Sequence, residues 1–432
     1  MVKRVLSLIL SCGFTLLAAE VQAQDVPLSQ LLVTLIQSDI RLAPPPAGFQ
    51  SHEAHFLPGT DQQLAPYFFN QQLVLQLATA PVGSPSGGFS FTFDPAAGTF
   101  ERATQSFGPM FAERALTNGR GRLTVGASFQ YSKYSSFEGQ DLDDGSIKFY
   151  LHHSTATGGA FFEGDLIETA LNLDLSSSTT TMFANFGVTD SLDVSVTVPY
   201  IQVSMDATVN ARVLPLATGQ GSTLHTFEGG STTNVYTSSG SASGIGDILL
   251  RGKYRFFSGQ GGGVAAALDV RLPTGDAENL LGTGAAAVNV MLIGSSAYGA
   301  WSPHFNVAYA ASGSGDVVTV PDEFGFRLGT EFTASPRVTL AADLLGRALL
   351  DAGRLKLEDT IWPFTDGTGT PHATILSEFT SHDETLSLVQ LGVGGKFNLT
   401  GNFLINASVL IGLTSSGVNA PFTPVVGFDY SF

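Results

Sequence analysis

Charged residues are scarce in this 432-residue chain, 20 Lys and Arg against 37 Asp and Glu, and the most telling of them keep step with one another. Asp247, Arg251, Lys253 and Arg255 share one parity of an alternating segment, and Asp269 and Arg271 share one parity of the next. Arg327 and Glu331, then Asp343 and Arg347, repeat the pattern. Residues two apart on an extended strand lie on one face. These ten side chains therefore line a common surface, and the apolar residues between them line the opposite one. A turn centred near Gln260 sets Arg251 opposite Asp269. One centred between Thr333 and Arg337 sets Arg327 opposite Asp343 and Glu323 opposite Arg347. Charges on an enclosed face need partners. The set is either a network that holds a barrel wall or a charged constriction that orients a solute.

Other chemistry is weaker. His152 and Ser154 resemble the His and Ser of the outer-membrane phospholipase barrel, but that pair faces lipid. Here Ile147, Phe149 and Leu151 take the lipid side and leave His152 with the lumen. Asp141-Leu142-Asp143-Asp144-Gly145 is one residue short of a calcium loop and has no closing Glu, so a turn with side-chain hydrogen bonds is expected. Gly259-Gln260-Gly261-Gly262-Gly263 leads into an alternating strand rather than a helix, which makes it a turn and not a phosphate loop. His225, His304, His372 and His382 have no zinc-ligand spacing. No catalytic residue, metal or cofactor is expected, and an esterase is the least favoured function.

The elements that must position the charged set are strands. From about residue 121 onward, segments of nine to eleven residues alternate with period two between Gly, Ser, Asp, Asn and Pro clusters. Leu123, Val125, Ala127, Phe129 and Tyr131 face one way, and Thr124, Gly126, Ser128, Gln130 and Ser132 the other. Connections are short on one side, as at Thr189-Asp190-Ser191 and Leu399-Thr400-Gly401, and mostly long on the other, as at 201–246, 273–284, 312–323 and 348–386. A break near Ser176 to Thr179 is short on the long side. This asymmetry fits a transmembrane antiparallel β-barrel of about 14 strands (12–16) with both ends in the periplasm.

Composition agrees. Only 13% of residues are charged against 43% hydrophobic, where a soluble domain carries about 25% charge. Yet no apolar run of about 18 residues follows the N-terminus, and a closed barrel is the other structure that satisfies its backbone in lipid. Residues 1–23 have the form of a signal peptide: Lys3 and Arg4, an apolar stretch from Val5 to Ala19, and small residues ending at Ala23. The single cysteine, Cys12, falls within it. A net charge of −17 opposes nucleic-acid binding. The terminal strand, Val426 to Phe432, ends on an aromatic residue with others two and four before it, and resembles the signal that barrel-assembly machinery reads.

Residues 24–118 differ. Leu28, Leu31, Leu32, Leu35 and Ile36 recur at helical spacing after Pro27, predicting a short helix. A hairpin is expected from Gly88–Phe93 to Thr99–Arg102, and a helical turn from Met110 to Leu116. The segment is too apolar for a solvated tail, so it is expected to plug the lumen or its periplasmic mouth, with the barrel proper at 119–432.

Three stretches together resemble the outer-membrane transporter family named for the MetA pathway of phenol degradation. They are Ser243 to Ile248 running into Lys253-Tyr254-Arg255-Phe256, Arg271 to Asp276 with Asn279 to Gly284, and Pro424 to Gly427. The resemblance covers about residues 180–432. It implies an outer-membrane barrel that passes a small, often aromatic, compound, with outer-membrane lipid around it and no catalytic residues. A structural or adhesive surface barrel is the alternative, with 201–246 and 348–386 as its contact surface.

Overall fold

A computed structural model describes residues 26–44, 56–58, 65–85, 88–94, 99–153, 161–259, 262–315 and 319–432. The expected leader at 1–23 and Ser154 lie outside them. Twelve antiparallel strands close a ring: β1 (Leu123–Tyr134), β2 (Leu166–Gly187), β3 (Leu192–Leu214), β4 (Ile248–Gly259), β5 (Gly262–Leu272), β6 (Ala287–Ser295), β7 (Trp301–Ser312), β8 (Glu323–Ser335), β9 (Val338–Leu349), β10 (Leu386–Thr400), β11 (Phe403–Gly412) and β12 (Phe422–Ser431). Neighbours in sequence are neighbours in the ring, and β12 closes on β1 from Val425↔Gln130 to Ser431↔Thr124. The outward positions are apolar and open, as with Leu250, Leu268, Val288, Val290, Leu292, Leu328 and Leu340. An unbroken apolar outer face on a closed barrel is the surface of a protein set in lipid. Among the described residues no helix is long and apolar enough to cross a membrane.

The ring has twelve strands, at the lower end of the expected 12–16, because two of the fourteen segments do not make wall strands of their own. The segments read as 166–175 and 180–188 are one strand, β2, of 22 residues, paired without interruption to the 23-residue β3 from Leu166↔Leu214 to Gly187↔Asp193. Ser176 to Thr179 carries no Gly, Pro, Asn or Asp, so nothing there forces a turn, and its residues stay in the ladder. A membrane strand needs about 9–11 residues, so the upper half of this hairpin stands clear of the wall. There Ile147–His153 takes over from β1 as the partner of β2, and Thr233–Ile245 pairs with β3 above β4. Ile147, Phe149 and Leu151 are consequently buried in an apolar core of this extension and do not face lipid. His152 instead packs its ring on Trp362, with centroids 4.4 Å apart.

The long connection 348–386 is also built of strands, Arg354–Thr365 with Pro371–His382 forming a second outer hairpin, whereas 273–284 and the described part of 312–323 form loops. The Asp141–Gly145 stretch is a turn in which Asp144 Oδ1 accepts the Ser146 N–H at 2.8 Å.

Two helices fill the extension. The expected helix α1 (Leu28–Thr34) begins after Pro27 and continues as a π-helical turn, Leu35–Asp39. A second helix, α2 (Ala65–Ala78), has no counterpart in the sequence expectations: its apolar and amide side chains surround it on all sides, so it shows no stripe. Leu28, Leu32, Phe69 and Leu73 pack with Phe137, Ile147, Val209, Phe379 and Leu386, at the end of the barrel remote from the short turns. From α2 the chain runs down the lumen. It turns in a hairpin of Phe91–Asp94 with Thr99–Arg102 beside Arg122, which precedes β1, and returns through residues 107–118. Residues 110–116 are not helical, since their N–H groups are drawn to the wall instead of to carbonyls one turn back.

Candidate functional site

The wall is broken at one corner. The strand Thr233–Ile245 and β4 run end to end along β3, and their ladders differ by one residue, Ile245↔Tyr200 and Leu249↔Thr197. Pro199, which has no N–H to offer a ladder, sits at the break. Asp247 turns inward there and accepts the N–H of Gly275 at 3.1 Å, the N–H of Thr283 at 2.9 Å and the Thr283 hydroxyl at 2.8 Å. It thereby folds the 273–284 loop over the lumen. A Cβ built on Gly282 would lie 2.6 Å from the Asp247 carboxylate and 2.7 Å from Gly275 Cα, so both glycines are set by close approach. Leu28 N–H and Ser29 N–H bond Asn279 Oδ1 and the Glu278 carbonyl, at 3.3 and 2.9 Å, joining the loop to α1.

Below it lies the charged set. Arg251 is directly opposite Asp269 in the ladder, with Nε to Oδ1 at 2.6 Å and Nη2 to Oδ2 at 2.8 Å. Its third arm, Nη1, reaches Glu113 Oε1 at 2.5 Å. Lys253 is 3.8 Å from Asp193 and donates to the carbonyls of Arg114 and Leu116. Arg255 sits at the short-turn end and donates to the Asp190 carbonyl at 2.8 Å.

Two expected pairings are displaced by two residues. Arg327 stands opposite Leu345, not Asp343, and Glu323 opposite Leu349, not Arg347. The β8–β9 turn is tighter than the 333–337 span suggested, with the ladder reaching Ser335↔Val338 past a bulge after Thr333. Asp343 therefore faces Gly329. With no side chain in the way, its Oδ1 lies 2.7 Å from His304 Nε2, while His304 Nδ1 is 3.5 Å from Glu331. Arg347 still reaches Glu323 diagonally, Nη2 to Oε2 at 2.6 Å, and also donates to the Thr79 carbonyl and hydroxyl.

The other partner of the wall is the backbone of residues 107–118. Asp343 Oδ2 accepts the N–H groups of Met110, Phe111 and Ala112 at 3.0, 2.9 and 3.4 Å. Asn306 exchanges two hydrogen bonds of 2.8 Å with the N–H and carbonyl of Glu113, as a neighbouring strand would. Thr339, Ser295 and Asp193 take the N–H groups of Phe107, Ala115 and Asn118, and Arg327 Nη1 donates to the Phe111 carbonyl at 3.1 Å. Buried backbone groups must be paired, and here wall side chains supply the pairing that a β-ladder would have given.

Between residues 79–85 and the ring strands a cavity of about 160 Å³ remains. Arg251, Arg271, Arg327 and Arg347 line it together with Glu113, Asp269 and Glu323, and Val82, Met291, Ala308 and Leu345 supply apolar wall.

Parity placed the wall charges on the inner face. It offered the same signal for His304, Asp193, Lys396 and Asp429, which the sequence expectations passed over. Glu113 and Arg114 carried no signal, because they lie in an irregular segment without a period.

The profile of the family described as "Putative MetA-pathway of phenol degradation" matches residues 156–426. Among solved structures, an outer membrane channel from Pseudomonas putida F1 is 14% identical, covering 74% of this chain and 98% of its own, with a TM-score of 0.44. The toluene transporter TbuX of Ralstonia pickettii is 12% identical over 82% of this chain and 99% of its own, at 0.31. The P. putida toluene transporter TodX is 11% identical over 82% and 98%, at 0.27. No curated protein matches the chain.

Proposed function

The chain belongs to this phenol-degradation family, and on that premise we propose that it is an outer-membrane channel through which a small apolar or aromatic compound passes. The observation that carries this is the ring itself. Its twelve strands turn an apolar face outward and a polar one inward, and a cavity persists in a lumen that the 107–118 segment otherwise fills. A barrel wider than the eight-strand kind cannot be filled by its own side chains. In this proposal residues 24–118 are the plug, tied to the wall by hydrogen bonds and by apolar contacts such as Phe111 with Leu345 and Leu410 and Ala115 with Met291 and Ile293. The short turns then lie in the periplasm and the extension outside.

The ring residues have no catalytic part in it. Assembly machinery would meet the last strand, where the Phe432 N–H bonds the Leu123 carbonyl at 2.8 Å and closes the ring.

Reconstitution of the purified protein into liposomes tests the proposal. Entry of a neutral aromatic solute such as benzyl alcohol should be faster than into empty liposomes, and equal rates would refute it.

A further inference from the structure

Four guanidiniums share the lumen cavity with three carboxylates. The carboxylates are already engaged. Asp269 and Glu113 both hold Arg251, and Glu323 holds Arg347. Arg271 and Arg327 are left lining the same cavity with no ion pair among the described residues. Arg271 has no hydrogen-bond partner there either, and Arg327 commits only Nη1, to the Phe111 carbonyl. A guanidinium cannot shed its charge, and donors left open in an enclosed site favour an anion, above all a planar one that can take two N–H groups at once.

We propose that this cavity binds a small organic monoanion, a carboxylate carried on an apolar body. The excess of one positive charge fits a single negative charge, met by the open donors of Arg271 and Arg327. Val82, Met291, Ala308 and Leu345 receive the body. At 160 Å³ the space is close to the cavity of about 150 Å³ that takes a benzene ring. The proposal rests on the channel reading only for the route by which the ligand enters.

Calorimetric titration of the full-length protein in detergent tests it with three probes: benzoate, benzyl alcohol as its neutral counterpart, and inorganic phosphate as an anion without an apolar body. Benzoate should bind at least tenfold more tightly than either of the others. Arg271→Gln and Arg327→Gln should each weaken benzoate at least tenfold, and Arg271→Lys, which keeps the charge but not the two parallel N–H groups, should weaken it less than Arg271→Gln does. Arg271→Gln removes no hydrogen bond or ion pair among the described residues, so it should fold normally.

Absence of benzoate binding, equal binding of benzoate and benzyl alcohol, phosphate binding as tight as benzoate, or full affinity in both Gln variants would each overturn the proposal. Benzyl alcohol flux in liposomes without benzoate binding would leave the channel standing and remove this site. Benzoate binding without flux of any solute would do the reverse.

Discussion

Arg251 and Asp269 occupy directly opposed positions of β4 and β5 and meet through two parallel hydrogen bonds, while the same guanidinium reaches across to Glu113 in the lumen segment. One residue thus joins wall to wall and wall to plug. Removing one partner of a buried pair leaves a bare charge and costs about 3–5 kcal/mol, whereas removing both costs much less. Asp269→Ala should lower stability by that order in urea titrations of the micelle-bound barrel. The triple variant Arg251→Met, Asp269→Ala and Glu113→Gln should recover much of the loss, because Glu113 would otherwise be left without its guanidinium. Additive losses would show that the three residues are not coupled.

Asp343 gathers three consecutive backbone N–H groups of the lumen segment. Asp343→Ala strands all three and removes the partner of His304. The expected result in planar bilayers is a larger or more frequently interrupted single-channel conductance, together with protease cleavage between residues 107 and 112. Unchanged conductance with a folded barrel would mean that the carboxylate does not hold the segment.

Gly329 makes room for that carboxylate, because a Cβ there would lie 2.2 Å from Asp343 Oδ1 and 2.4 Å from His304 Nε2. Overpacking of this kind costs about 1–3 kcal/mol. Gly329→Ala should therefore depress the melting temperature seen by heat-modified gel mobility. Gly252→Ala, where the added methyl meets open space, is the control and should leave it nearly unchanged.

His152 lies in the outer extension, where burial lowers its pKa from 6.5 to about 4. The unfolded chain takes up the proton near 6.5 and the folded one only near 4. Stability is thus whole above 6.5, falls as pH drops through that interval, and falls no further from this residue below it. Trp362 reports the event through its contact with the ring. In a Trp301→Phe variant, which leaves Trp362 as the single tryptophan, fluorescence quenching on acidification should have its midpoint near 4. A midpoint near 6.5 would place His152 in water.

The sequence by itself determined the class of fold and which charged residues share a strand face. Both follow from the period of two, a property of every extended strand that needs no partner to be known. It determined α1 as well, since Leu28, Leu31, Leu32, Leu35 and Ile36 form a one-sided stripe.

Strand partners, in contrast, were decided by turns and bulges. The tight β8–β9 turn moved Asp343 from Arg327 to Gly329 and so created the His304 contact. The number of wall strands depended on Ser176 to Thr179 staying in a ladder with β3, which local composition allows but does not compel. The lumen segment was least legible of all. Residues 107–118 have no regular secondary structure, because most of their N–H groups go to side chains of residues far along the chain, Thr339, Asp343 and Asn306 among them. Only the closed ring brings those acceptors to one place.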